Sequence, residues 1–140
     1  MIALGHPHFE EAELRAVQAT SGSLAAWKEG YRRFGVKVPN QVTGDFAVAI
    51  RVDEQSTFLA VDRFSIRTLC YRIRGDRFEV AERADGFGDL GANLDLQAIF
   101  DYLYFHIIPA PRTVFKDVAR LLAGHFALFE AGKLTVAPWW

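Results

Sequence analysis

A single cysteine, Cys70, is all that the 140 residues contain. No disulfide can close within the chain, and a reducing, cytoplasmic compartment is the expectation. No apolar run approaches the ~18 residues that a membrane helix needs, and the N-terminus lacks a charged-then-apolar export signal. A formal net charge of −1, with acids and bases interspersed, leaves no basic stripe for nucleic acid. The histidines are His6 and His8 on one loop, then His106 and His125 far along the chain. With no cysteine cluster and no H-E-x-x-H, they make no metal set. The G-x-G of Gly86-Phe87-Gly88 lacks the Gly, Lys or Ser/Thr of a phosphate loop. Cys70 sits in an apolar run without a neighbouring histidine and reads as a buried, inert thiol. No repeat or low-complexity stretch interrupts the chain. On residue chemistry alone no catalytic, cofactor-binding or metal-binding position emerges.

About half of the residues are hydrophobic, with twelve Phe and three Trp. That composition predicts one folded domain over residues 1–140, burying roughly two-thirds of its unfolded surface. The organising stretch is Gly44 to Tyr71. An apolar run from Phe46 to Ile50, a polar turn from Asp53 to Ser56 and a second run from Phe58 to Val61 read as a β-hairpin. Alternation places Phe46, Val48 and Ile50 on one face and the small Ala47 and Ala49 on the other, so both faces should be covered. Asp62-Arg63-Phe64 forms a corner, its charges fixing it by hydrogen bonds and ion pairs, and a third apolar run spans Ile66 to Tyr71.

Upstream, Met1 to Leu4 is a short apolar segment. Residues Glu10 to Ala19 favour helix, and Thr20-Ser21-Gly22-Ser23 breaks it and offers hydroxyls to cap a second. Leu24, Trp27, Tyr31 and Phe34 then recur at helical spacing, with Gly35 as the stop, predicting an αα-hairpin whose aromatic stripe is core. Downstream, Arg74 to Arg77 is a turn, Phe78 to Ala81 a strand and Asp85 to Gly88 a loop. Asp95 caps a helix carrying Leu96, Ile99, Phe100 and Leu103 on one face. Pro109-Ala110-Pro111 predicts extended backbone, and Gly124 to Phe129 with Lys133 to Val136 a closing hairpin across Ala131-Gly132. The expected class is α+β: layered antiparallel sheets with flanking helices.

Five segments in one order carry a resemblance: Trp27 to Gly35, Gly44-Asp45-Phe46-Ala47, Asp62-Arg63-Phe64-Ser65-Ile66-Arg67, Tyr102 to Phe115 (YLYFHIIPAPRTVF), and Gly124-His125 with Trp139-Trp140. Over roughly residues 22–140 the chain resembles the glutaminase-like N-terminal domain of the asparagine synthetase family, the class II (N-terminal nucleophile) glutamine amidotransferases. Inactive versions of that domain occur in relatives such as β-lactam synthetases and lasso-peptide cyclases. The resemblance implies a partial N-terminal-nucleophile glutaminase fold that lacks the family's first strands. Gly44, Phe46, Asp62, Arg63 and Phe64 are its structural motif residues.

The same resemblance implies lost chemistry. The family's nucleophilic cysteine follows the initiator Met, where Ile2 stands, and its base is the α-amine, whose pKa of ~8 lies near working pH. Leu4 takes the place of the oxyanion-binding Asn, a loss of ~3 kcal/mol in comparable sites. Gly22 takes the place of the acid that holds the ammonium group of glutamine. Ser65 and Thr68 replace a glycine and a proline of the corner. These losses lead to the expectation of a pseudo-glutaminase that supports an ATP-dependent amide-forming synthetase domain. The chain has no S-G-G-x-D-S loop, so ATP and magnesium are expected only on that partner. Pro109, Pro111, Arg112, Thr113, Trp139 and Trp140 should border it, with self-association as an additional expectation. Two other readings stand beside this one: a fragment of a glutamine-hydrolysing asparagine synthetase, and a small-molecule binder using the vacated glutamine cleft.

Overall fold

The structure, a computed structural model, describes residues 1–88, 90 and 93–140. The described residues form two compact units, one made of residues 1–67 and 123–140 and the other of residues 68–122.

The first unit is built on a five-stranded antiparallel sheet. Its strands, in spatial order, are β1 (Ile2–Gly5), β4 (Phe46–Arg51), β5 (Ser56–Val61), β9 (His125–Glu130) and β10 (Lys133–Pro138). The expected central hairpin is present, with Ala47 opposite Val61 and Ile50 opposite Phe58. Every residue of β4 from Phe46 to Ile50 is buried, as an apolar strand with two covered faces should be. The short β1 pairs with β4 from Ile2 opposite Ala49 to Gly5 opposite Phe46. At the other end β9 and β10 turn across Ala131 and Gly132, both at positive φ. That is what a two-residue hairpin loop matched to sheet twist requires. A two-stranded ribbon joins β2 (His8–Phe9) to β3 (Val42–Thr43).

Helices α1 (Ala12–Ser21) and α2 (Ser23–Phe34) lay their apolar sides on the sheet. Trp27 is fully enclosed, its ring 4.9 Å from Phe46 and 5.3 Å from Phe9. Leu24, Tyr31 and Phe34 pack around the same core, so the aromatic stripe is core as expected. Gly30 lets α2 approach Val38, whose methyl would lie 2.7 Å from an added Cβ. The expected hydroxyl cap differs. Helix α1 runs on through Thr20 and Ser21, and the cap position of α2 is Gly22, without a side-chain bond. Thr20 Oγ1 instead donates back to the carbonyls of Ala16 and Val17, the competing local bond open to helical threonine.

The second unit carries a three-stranded antiparallel sheet. Its central strand is β6 (Cys70–Arg74), flanked by β7 (Arg77–Ala81) and β8 (Ala119–Arg120). The third apolar run is therefore only partly strand. Ile66 to Leu69 lies outside β6, because the Ile66 and Arg67 N–H groups bond the Asp62 carboxylate and leave no ladder to join. Helix α3 (Leu96–Phe105) is capped by Asp95, which accepts from Gln97 and Ala98 N–H. Its orientation is the main departure from expectation: Ala98 and Asp101 are its buried residues, while Leu96, Phe100 and Leu103 are exposed. Asp101 accepts from Gln97 Nε2 at 2.8 Å and from Arg112 at 3.2 Å, and this polar anchoring holds the residue-101 side inward. Pro109 to Arg112 is not extended but closes a turn, Arg112 N–H donating to the Pro109 carbonyl across a cis Ala110–Pro111 bond.

Candidate functional site

The site grows from Asp62, at the end of β5 in the first unit. Its side chain is 3% exposed and accepts four backbone N–H groups. Oδ1 takes those of Phe64 (2.9 Å) and Ile66 (3.1 Å), and Oδ2 those of Phe46 (3.3 Å) and Arg67 (3.2 Å). A charged acceptor satisfied in this way is worth far more than an exposed pair. The Asp62 backbone adds three bonds, donating to the Phe46 carbonyl and accepting from Ser65 and Gly124 N–H. Gly124 in turn accepts from Trp139 N–H, and Trp139 Nε1 donates to Val61 at 3.0 Å. One aspartate thus ties the hairpin, the corner and the closing hairpin together.

A second acid, Asp45, bridges Arg67 Nε at 3.0 Å and His6 Nδ1 at 3.2 Å. The Arg67 guanidinium, and after it His6, holds the Asp45 carboxyl below its ordinary range. His6 reaches this position because β1 ends at Gly5 with φ +83, where a Cβ would collide with the Asp45 carbonyl. Gly44, φ +89, answers it: a Cβ there would meet the His6 carbonyl. Both positions need glycine, for the backbone angle and for the close approach of the two chain segments.

Between these elements opens a cavity of about 570 Å³. Gly44, Phe46, Asp62, Arg63 and Phe64 all line it, together with Val42, Thr43, Asp45, Ile66 and Trp139. Phe64 and Ile66 stand at the rim, 75% and 65% exposed. Arg63 holds its guanidinium over the Trp140 ring at 5.4 Å, a cation–π placement. Both carboxylates are committed to partners within the unit, and Thr43 Oγ1 donates to the His8 carbonyl. The cavity can seat an apolar group under a cationic rim. It sets no thiol beside a base, and no group of His, Cys, Asp and Glu among the described residues could hold a metal ion.

The positions matched to family chemistry lie elsewhere in this unit. Ile2 and Leu4 are part of β1, opposite Ala49 and Ala47, and Gly22, φ +83, is exposed between α1 and α2. Of the residues expected to border a partner, Trp140 is exposed but Trp139 is buried in the core of the first unit. In the second unit Pro109, Pro111 and Arg112 are exposed at the turn, while Thr113 is 2% exposed with its hydroxyl bonded to Phe115 and Val118. Thr113 and Trp139 are thus each enclosed within their own unit. Cys70 is buried, and burial pushes its thiol pKa up. Sequence reading named His6 only as a loop histidine and Asp45 and Ile66 only within motif segments, without a role at the site; the signal for Asp45 and His6 was their adjacency to Gly44 and Gly5.

The α+β fold is of the N-terminal-nucleophile amidotransferase type, as superposition on a solved amidotransferase shows. The glutamine phosphoribosylpyrophosphate amidotransferase of B. subtilis, solved with ADP and GMP, superposes with a TM-score of 0.53 over 99% of this chain and 29% of its own, at 13% identity. The chain belongs to the glutamine amidotransferase domain family, which it matches over residues 18–140. It is also 30% identical over 126 residues to the "Putative asparagine synthetase (glutamine-hydrolyzing)" of Mycobacterium tuberculosis and to that of Mycobacterium bovis. The match takes in 85% of this chain and 19% of those relatives, so the chain spans about a fifth of their length. No helix among the described residues is long and apolar enough to cross a membrane.

Proposed function

We propose that this is a glutaminase-like domain without hydrolytic chemistry, serving as a structural and partner-binding module for an ATP-dependent amide-forming synthetase domain in the cytoplasm. What supports the reading is the presence of Leu4 and Gly22 at positions matched to glutamine-handling groups, beside a corner that keeps its hydrogen bonds. Leu4 has no N–H or amide in its side chain to stabilise an oxyanion. Gly22 has no carboxylate for the ammonium group. The single thiol, Cys70, is buried and held protonated by that burial, the reverse of an activated nucleophile. Meanwhile Gly5, Gly44 and Asp62 keep the backbone arrangement of the corner. ATP and magnesium belong to the partner in this scheme. The exposed Trp140 in one unit and the Pro109–Arg112 turn in the other are the surfaces assigned to it. Glutamine titrated into the purified chain should give no change in amide NMR shifts and no rise in melting temperature. Saturable shifts at Leu4, Gly5 and Gly22 would overturn the reading.

A second reading rests on the 19% span of the relatives: the chain is a fragment of a glutamine-hydrolysing asparagine synthetase. Assaying glutamine hydrolysis by the longest natural open reading frame separates the two. Turnover there would support the fragment.

A further inference from the structure

The cavity beside the Asp62 corner has a chemistry of its own. Its volume of about 570 Å³ falls in the range of roughly 300–1,000 Å³ over which small-molecule sites lie. Val42, Phe46, Phe64, Ile66 and Trp139 give it an apolar lining. Three charged residues line it as well, Asp45, Asp62 and Arg63, and two of them are already engaged. Both carboxylate oxygens of Asp62 accept backbone N–H groups, and those of Asp45 are taken one each by His6 and Arg67. Arg63 differs. Among the described residues its guanidinium meets the Trp140 ring but no carboxylate. The rim is also an unrelaxed surface. Phe64 and Ile66 are exposed although both line the cavity. Ser65, between them, sits at φ 52, and its hydroxyl is buried without a hydrogen-bond partner. A non-glycine residue in the left-handed region, carrying an unpaired polar atom, is the kind of strain that gathers at ligand sites.

We propose that this cavity is a binding site for a small monocarboxylate with an aromatic or branched aliphatic body. The body packs against Phe46, Phe64 and Trp139, where its apolar area is removed from water. The carboxylate pairs with Arg63, whose planar fork matches it with two parallel N–H···O bonds. A guanidinium resting on an aromatic ring keeps its in-plane N–H groups for such an acceptor. Charge decides the class of ligand. A cation must displace Arg67 or His6 from Asp45, or backbone N–H groups from Asp62, before it gains a partner. An uncharged molecule leaves the Arg63 charge with the Trp140 ring alone. Glutamine is outside this class, because its side-chain amide and ammonium group are left without partners against the apolar lining.

Three compounds that share one ring test it: 3-phenylpropionate, its amide and 3-phenylpropylamine. At about pH 7 these are an anion, an uncharged molecule and a cation. Each is titrated into the whole chain, labelled with nitrogen-15 and followed by amide NMR. The carboxylate should give saturable shifts at Gly44, Phe46, Phe64 and Ile66, with a dissociation constant on the order of 1 mM for so small a ligand. The amide and the amine should bind at least about fivefold more weakly, the scale of a partly exposed ion pair. Arg63→Gln, at an exposed position, should bring the carboxylate to the level of the amide and leave the amide unchanged. The charge series is read on the unaltered chain, independently of whether the variant folds. Equal affinity for carboxylate and amide overturns the proposal, as does a folded Arg63→Gln chain that keeps the preference. No saturable shift up to about 20 mM, well above the affinity expected, overturns it too. So do shifts confined to Leu103 and Tyr104, which place the ring on α3 and not in the cavity.

Discussion

Helix α2 of the first unit and α3 of the second carry the same kind of apolar stripe in opposite surroundings. On α2, Trp27 is fully enclosed and Leu24, Tyr31 and Phe34 pack against the sheet. On α3, Leu103 and Tyr104 are each 70% exposed, and the inward side holds Ala98 and Asp101. Periodicity reports that a face wants a cover, but not whether the cover lies in the same chain. What turned α3 around is polar: Asp101 is fixed by Gln97 and Arg112, and a partly satisfied acid is costlier to misplace than an exposed leucine.

The sharpest way to break this comparison is to truncate both stripes. Trp27→Ala should destabilise the first unit by about 3–5 kcal/mol, the cost of an unfilled core aromatic. Chemical unfolding followed by circular dichroism measures it. Asp62→Ala should come next, at about 3 kcal/mol, because four backbone N–H groups, that of Phe46 buried and the other three part-buried, lose their acceptor. Its signature is loss of amide exchange protection at Phe46, Phe64, Ile66 and Arg67, which a simple core cavity would not produce. Leu103→Ala, by contrast, should change stability by no more than about 0.5 kcal/mol, measured by the same unfolding experiment. A loss as large as that at Trp27 would mean that α3 is buried within its own chain.

The smallest expected effect is electrostatic. Arg67 and His6 hold the Asp45 carboxyl below its ordinary range. A carboxyl depressed in the folded state adds stability that is present above its unfolded pKa and lost as pH falls through the folded value. The wild type should therefore lose more stability than Arg67→Ala as pH drops below about 4, the usual carboxylate value. Parallel pH profiles for the two proteins would contradict the pairing.

The sequence was most informative where a rule is local. An apolar run, a polar turn and a second run were enough for β4 and β5, and Asp95 announced the start of α3. Ala131-Gly132 marked the last turn. Local reading failed where a distant group decides the backbone. Ile66 to Leu69 is apolar enough for a strand, yet the Asp62 carboxylate claims the N–H groups of Ile66 and Arg67. The Thr20 hydroxyl, expected to cap α2, turned back on its own helix. At the candidate site, Gly44, Phe46, Asp62, Arg63 and Phe64 stood out as motif residues, and the structure gathers them around one cavity. The His6–Asp45–Arg67 bridge was hidden because its members lie 22 and 39 residues apart.

At the centre of the functional proposal, the glutaminase frame persists without its reaction. Ammonia release from glutamine by the purified chain, followed with a coupled glutamate dehydrogenase assay, tests it most directly. The predicted rate is indistinguishable from that of a Cys70→Ala variant and of buffer alone. Steady ammonia production above both would contradict it.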